Sequence, residues 1–231
     1  SLSLVTIRGK LSIMETQPFD SVTLKVVQRA RDAFLREGYS RLTMTALADA
    51  CGLTRRGLYK HFKSKEDLFR ATLRLQNAEA FEAGDWAAKK ALARGGTALI
   101  VILAWLDTRF GETRRAIARS PYGTEVNVMA FEIGSDVMLE VSKESNARVA
   151  ELVDTLCASK LLRLRKGLTS AGVAQLLADG ARALGKALEA EADAQEGGEG
   201  PERHGEIDRR GDADLGTLPI GPPETRTRNV A

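Results

Sequence analysis

The sequence has little of the material that several protein classes require. It contains two cysteines, Cys51 and Cys157, among 231 residues, and they form no CxxC pair. This excludes a disulfide scaffold and a zinc-finger cluster and indicates a reducing compartment. The two histidines, His61 and His204, are too few for a His-rich metal site or a His-based relay. We therefore expect neither a metal nor a cofactor.

Long apolar runs are also absent. The longest unbroken run, Ala98–Leu106, has nine residues, whereas a membrane-spanning helix needs about 20. The first residues have no apolar core of signal-peptide length, so we expect a cytoplasmic protein. No phosphate-binding glycine loop, HExxH or GxSxG motif occurs, and this argues against an enzyme.

The composition is that of an ordinary globular protein, but the charge is unevenly distributed. Apolar residues make up 43% of the chain and charged residues 28%, with a net charge of +3. Residues 21–75 contain twelve Lys/Arg and five acids, hence +7, while residues 192–231 contain nine acids and five arginines, hence −4. A basic segment is a candidate surface for a polyanion; a solvated set of helix faces is the alternative interpretation.

The hydrophobic period predicts an all-α fold from Ser21 onward. The first helix has one apolar face and ends at Gly38 in a left-handed cap, after which Tyr39 folds back on the helix end. Three further helices are predicted to begin after the N-cap residues Thr43, Thr54 and Ser64, and the last of them to run to about Glu82. Gly52 is predicted to end the second helix, and the third to extend to about Phe62.

The second half is predicted to be helical as well. We expect helices over Trp86–Arg94, Thr97–Phe110 and about 125–162, the last with a possible break near Gly134-Ser135, and a final helix after the cap residue Thr169. Residues 1–20 are predicted to form a short strand or a loose arm. Residues 192–231 hold seven of the 21 glycines and four of the six prolines and are predicted to be a disordered acidic tail.

The second and third helices, with a glycine-bearing tight turn between them, form a helix-turn-helix pattern. Leu47 and Ala48 should pack on Leu58, which leaves the polar face of the third helix exposed. Arginine in such a helix pairs with guanine in the major groove, and Tyr, Lys and His suit phosphate oxygens. The residues predicted to contact DNA are Thr43, Thr45, Thr54, Arg55, Arg56, Tyr59, Lys60, His61 and Lys65.

Residues 42–68, LTMTALADACGLTRRGLYKHFKSKEDL, resemble the DNA-binding signature of the TetR family of bacterial transcriptional regulators. The resemblance covers about residues 22–70, with Cys51 where the family usually has Ala. It implies an all-α homodimer with a helix-turn-helix domain at 21–67 and a larger helical domain at 68–191. The larger domain would bind a small effector, and its last two helices would pack on those of the dimer mate.

Two further sets of residues are candidates for sites in the larger domain. The residues that would line an effector pocket, or instead belong to the core, are Trp105, Arg109, Phe110, Met129 and Phe131. Asp107 and Arg109 interrupt a very apolar helix, so each either faces solvent or is the polar group of the pocket. The candidates for the dimer interface, with an intrachain core as the alternative, are Leu152, Leu156, Val173, Leu177, Gly180 and Leu184.

These predictions together indicate a DNA-binding transcriptional regulator. We expect a repressor that binds a palindromic DNA operator as a homodimer and is released by a small-molecule effector. Two alternatives stay open, namely an enzyme that carries a helix-turn-helix module and a non-specific architectural DNA binder. The missing catalytic motifs disfavour the first, and the concentration of basic charge at one end disfavours the second.

Overall fold

The computed structural model describes residues 19–180, and in this part of the chain every regular element is helical. The helices are α1 (Ser21–Glu37), α2 (Met44–Cys51), α3 (Arg55–His61), α4 (Lys65–Ala93), α5 (Ala98–Leu106), α6 (Glu112–Ala118), α7 (Gly123–Glu132), α8 (Ser135–Ala158) and α9 (residues 170–180), with a π-helical turn, Asp107–Gly111, between α5 and α6. The predictions for residues 1–18, Leu184, His204 and the acidic tail lie outside the described residues.

The predicted helix starts in the N-terminal half are confirmed. Each cap side chain accepts a hydrogen bond from the backbone N–H three residues on, at 3.2 Å for Thr43, 3.0 Å for Thr54 and 3.1 Å for Ser64. Gly52 adopts the left-handed conformation, with φ 70° and ψ 32°. Gly38 also has a positive φ of 82°, but its ψ of 159° is extended, so the predicted left-handed cap of α1 is wrong in ψ.

Helices α1 to α3 enclose a small core. The predicted apolar face of α1 is buried, and Leu47, Ala48 and Leu58 are each fully inaccessible to solvent. Tyr39 folds back as predicted and stacks on Phe34 with the ring centroids 5.6 Å apart. Cys51 fills a buried position and its thiol donates to a backbone carbonyl 3.4 Å away. Burial raises the pKa of this thiol.

Helix α4 corrects the sequence prediction. It continues without a break to Ala93, so the predicted end near Glu82 and the separate helix Trp86–Arg94 are both wrong. Gly84, two residues beyond the predicted end of the helix, lies against α5: a Cβ added there would be 3.3 Å from the indole Nε1 of Trp105. This glycine therefore permits a close approach between two helices, which outweighs its low helix propensity.

The remaining helices differ from the prediction in their bounds, and α6 was not predicted. The predicted helix Thr97–Phe110 is α5 followed by the π-helical turn, which leads directly into α6. The predicted break at Gly134 is confirmed between α7 and α8, and α8 ends at Ala158, before the predicted 162. None of the helices within residues 19–180 is both long and apolar enough to cross a membrane.

Candidate functional site

Helix α3 presents a polar face to solvent. Its buried residue is Leu58, which packs under α2, and Gly57 at the third helical position donates its N–H to Thr54. The guanidinium of Arg55 lies 5.6 Å from the centroid of the Tyr59 ring. The side chains that the structure leaves exposed along this face are those of Thr54, Arg55, Arg56, Tyr59, Lys60 and His61.

Hydrogen bonds form at the start of α2 and at the end of α3. Thr43 and Thr45 are exposed at the start of α2, where Thr43 also serves as the N-cap. At the end of α3, His61 Nδ1 lies 3.0 Å from the hydroxyl of Thr23 on α1. The N-cap of α1, Asp20, has a lowered pKa, mainly because it accepts the backbone N–H of Thr23. The orientation of α3 is thus fixed against the start of α1.

Lys65 has partners within the protein. Its ammonium donates to the carbonyl oxygens of Tyr39 and Leu42, at 3.1 and 3.0 Å, and lies 4.1 Å from the centroid of the Tyr39 ring. The Tyr39 hydroxyl in turn donates to Glu66, and burial, with this carboxylate, raises the pKa of the phenol. Lys65 therefore joins the start of α4 to the segment between α1 and α2. Its contact with a phosphate stays a prediction.

The structure separates the residues predicted to line an effector pocket. Trp105 is buried, and its indole N–H donates to Asp85 at 2.8 Å. Phe110 and Met129 are half-buried against the core. Phe131 is 58% exposed. The structure thus brings Trp105, Phe110 and Arg109 together, whereas Phe131 lies on the surface.

Arg109 is the most unusual member of this set, because it is charged and 4% exposed. Its guanidinium donates to Asn77 Oδ1 at 2.8 Å and lies between two aromatic rings, 4.5 Å from the centroid of Phe81 and 4.9 Å from that of Phe110. Its Nε is buried without a hydrogen-bond partner. Burial, and secondarily the charge of Arg148, lowers the pKa of Arg109 to about 10, so the side chain is still a cation at neutral pH.

A second buried polar group next to this arginine was not predicted. Arg148 is paired with both Asp85 and Glu144, and its guanidinium also faces the Phe81 ring, at 4.9 Å. Glu144 is 2% exposed, and its Oε2 has no hydrogen-bond partner. The sequence contains one signal for this buried ion pair. Glu144 lies on the apolar face of α8, three residues after Val141, and Arg148 follows it four residues later, the spacing at which helical side chains meet.

Residues 26–72 match the sequence profile described as bacterial regulatory proteins of the tetR family. The match contains α2, the turn and α3, together with most of α1 and the start of α4.

The helix-turn-helix of this chain is that of the TetR family.

Two solved structures with TM-scores of 0.50 and 0.51 share the fold, and a third is less similar. The chain is 18% identical to a protein assigned as a TetR-family transcriptional regulator from a Rhodococcus species, with a TM-score of 0.51 over 68% of this chain and 82% of that one. It is also 18% identical to a protein whose structure addresses the control of antibiotic production by bacterial hormones, with a TM-score of 0.50 over 69% and 80% of the two chains. Thermus thermophilus FadR, a TetR-family repressor in complex with lauroyl-CoA, is 16% identical, with a TM-score of 0.47 over 68% and 77%.

The N-terminal helices contact the larger helical part through the loop between α6 and α7 and the first turn of α7. The backbone N–H of Ser40 donates to Glu125 at 2.7 Å, and Arg41 donates to the Tyr122 hydroxyl at 2.6 Å. The hydroxyl of Ser120 donates to the carbonyl of Leu35, near the end of α1. The bonds from Ser40 lower the pKa of Glu125. We call these three bonds the α1–α7 contact.

The candidate dimer-interface residues occupy different environments. Leu156 is fully buried within the chain, Leu152, Val173 and Leu177 are half-buried, and Gly180 is exposed. The buried face of α9 within the described residues consists of Ala174 and Ala178. Leu176, on the same helix, is 65% exposed. The interface itself stays a prediction.

Proposed function

We propose that this TetR-family regulator is a repressor that binds a palindromic DNA operator as a homodimer and is released from it by a small-molecule effector. The observation that carries the proposal is the face of α3. Its six hydrogen-bonding side chains are exposed, and Leu58 is the buried residue of the helix. A helix held in this way can enter the major groove with its polar face toward the bases. The proposal assigns the protein to the cytoplasm, where the DNA is, and assigns it no catalytic role.

Two kinds of DNA contact follow from the positions along α3. Arg55 and Arg56 lie in the first turn, the part of a recognition helix that reaches base edges, and each can donate two hydrogen bonds to guanine O6 and N7. Tyr59, Lys60 and His61 lie in the later turns and suit phosphate oxygens. At the start of α2, Thr43 and Thr45 are further donors to the backbone. Phosphate contacts set the affinity and its salt dependence, and the arginines set the sequence preference.

The homodimer rests on apolar side chains near the C-terminal end of the described residues. Leu176 on α9 and Leu161 and Leu168 before it are exposed to the extent of 65%, 45% and 46%. Burial of such side chains against a second copy would contribute about 25 cal/mol per Å² of apolar surface. A symmetric pair of chains would carry two α3 helices, each reading one half of a palindrome.

The α1–α7 contact is the route by which an effector would act on the DNA-binding helices. A ligand among α4, α5 and α8 that shifts the loop between α6 and α7 would strain the bonds to Leu35, Ser40 and Arg41, which flank the start of the helix-turn-helix. Coupling between two sites in proteins is typically 1–3 kcal/mol, about a 5- to 150-fold change in affinity. An effector of this strength suffices for release.

Selection of binding sites from random DNA, combined with analytical ultracentrifugation, tests this function. We expect the selected sequences to share a palindrome, the free protein to sediment as a dimer, and the complex to contain an even number of chains. A monomeric protein at micromolar concentration would contradict the homodimer. Selected sequences without a consensus, and equal affinity for selected and random DNA at the same salt concentration, would indicate the architectural binder instead.

A further inference from the structure

Within residues 19–180, the buried arginine of the π-helical turn has no ionic partner. Among residues 19–180, no carboxylate oxygen lies within 4 Å of the guanidinium nitrogens of Arg109, whose hydrogen-bonding partner is the neutral amide of Asn77. A buried charge without an ionic partner is strongly unfavourable, and proteins rarely retain one. Within the described residues its Nε–H has no acceptor, so the side chain can donate a further hydrogen bond to an anion.

The neighbouring arginine does not share this property. Arg148 lies against the same Phe81 ring but is paired with the carboxylates of Asp85 and Glu144. Arg148 and its two carboxylates together carry a net charge of −1, but neither carboxylate contacts Arg109, so Arg109 is the arginine whose guanidinium has no ionic contact. An anion that enters here meets one arginine that is already neutralised and one that is not.

The setting of Arg109 is apolar and aromatic apart from Asn77. Phe81 and Phe110 lie on either side of the guanidinium, and Trp105 contacts Phe110 with the ring centroids 6.2 Å apart. Arg109 also belongs to the π-helical turn, Asp107–Gly111, a geometry that is rare and frequently found at functional sites. The turn joins α5 to α6.

We propose that Arg109 binds the carboxylate of the effector, and that the effector is a monocarboxylic acid whose apolar body packs against Phe81 and Phe110. This inference rests on the proposed effector-responsive function and specifies its ligand. A planar carboxylate matches the two-pronged geometry of a guanidinium and adds a single negative charge beside it. A phosphate monoester, with a charge of about −1.5 to −2 at neutral pH, would bury more negative charge near Asp85 and Glu144 than a monocarboxylate does.

Thermal unfolding of the full chain with matched acids and amides tests the proposal. The probes are octanoate with octanamide and 3-phenylpropanoate with 3-phenylpropanamide, each at 5 mM. We expect at least one acid to raise Tm by about 2–4 °C, as for a Kd of about 1 mM, and its neutral amide to raise Tm by less than half as much. If neither acid stabilises the protein more than its amide does, the proposal is wrong.

Two variants then show whether Arg109 is the residue that binds the acid. Arg109→Met removes the charge with a side chain of similar length, and the matched control is Arg115→Met, which removes an exposed arginine that pairs with Asp107. The acid should lose its advantage over the amide in Arg109→Met and keep it in Arg115→Met. An equal response in wild type and Arg109→Met would overturn the assignment.

A spectroscopic measurement covers the case in which Arg109→Met does not fold. The sequence has two tryptophans, so Trp86→Phe leaves Trp105, beside Phe110, as the sole emitter. Saturating acid should shift its emission, and the amide should not; an identical effect of both, or none, contradicts the site. Affinity for the operator is measured separately. If the acid binds but the affinity for DNA is unchanged, the proposed release is wrong and the site stands. If the protein binds DNA but no acid, the site alone is wrong.

Discussion

Replacement of Lys65 by alanine should destabilise the N-terminal helices even in the absence of DNA. The ammonium donates to the carbonyls of Tyr39 and Leu42 at 3.1 and 3.0 Å and lies over the Tyr39 ring. Hydrogen bonds that involve a charged group contribute about 1.5–3 kcal/mol each when buried. Because this side chain is half-buried and water can reach the freed carbonyls, we expect a loss of about 2 kcal/mol for the whole set.

The loss should appear in thermal and urea unfolding. For a chain of this size, about 2 kcal/mol corresponds to a fall in Tm of about 4–8 °C. The matched control is Lys63→Ala, which removes the same charge from an exposed position two residues earlier and should change stability by less than about 0.5 kcal/mol. Equal stability of the two variants would refute the structural role of Lys65.

DNA binding gives an independent readout of the same variant. If the ammonium also contacts a phosphate, Lys65→Ala should lower the salt dependence of operator binding by about one unit per protomer. If its role is confined to the two carbonyls, the slope should equal that of the wild type at a temperature where both proteins are folded.

Three further variants probe other parts of the structure. Gly84→Val should lower Tm by several degrees in thermal unfolding, because a Cβ at this position already lies 3.3 Å from the Trp105 indole and two more methyl groups have no room; an unchanged Tm would show that α4 and α5 are not closely packed there. Glu125→Gln should reduce the loss of folding stability at acid pH. The pKa of Glu125 in the folded state lies below the ordinary 4.5, so the carboxylate stabilises the fold above that value, and this contribution is lost as pH falls through the folded-state pKa. Urea unfolding between pH 6 and 3 measures the effect, and a pH dependence equal to that of the wild type would contradict it. Leu176→Glu should shift the dimer toward monomer in sedimentation, whereas Leu99→Glu, an equally exposed leucine on α5, should not; equal behaviour would remove α9 from the interface.

The N-terminal half could be predicted from sequence because its signals are local. Thr43, Thr54 and Ser64 are caps whose hydrogen bonds close within three residues, and Gly52 takes the one backbone conformation that its turn requires. The amphipathic spacing of α1 identified each of its buried residues. Local chemistry and hydrophobic period therefore sufficed for the helix-turn-helix and for the exposed face of α3.

The larger helical part was harder to predict because its determinants are distant in sequence. Gly84 has the same intrinsic effect on a helix whether or not Trp105 lies against it, so the close contact between α4 and α5 could not be predicted from sequence. The partners of Lys65 and Arg109 are 23 to 32 residues away. The sequence showed that Arg109 was unusual, but the choice between solvent and a buried site depended on how α4 packs.

The affinity of Arg55→Ala and Arg56→Ala for the selected operator, its point variants and random DNA tests the central claim most directly. The control is Arg36→Ala, which removes an exposed arginine paired with Glu37 on α1. If α3 reads the operator, each of the two variants should lose about 1–3 kcal/mol per half-site on the operator, retain its affinity for random DNA within a few-fold, and relax the preference at particular base pairs, while the control changes little. A uniform loss on all DNA, or no loss at all, would contradict the account.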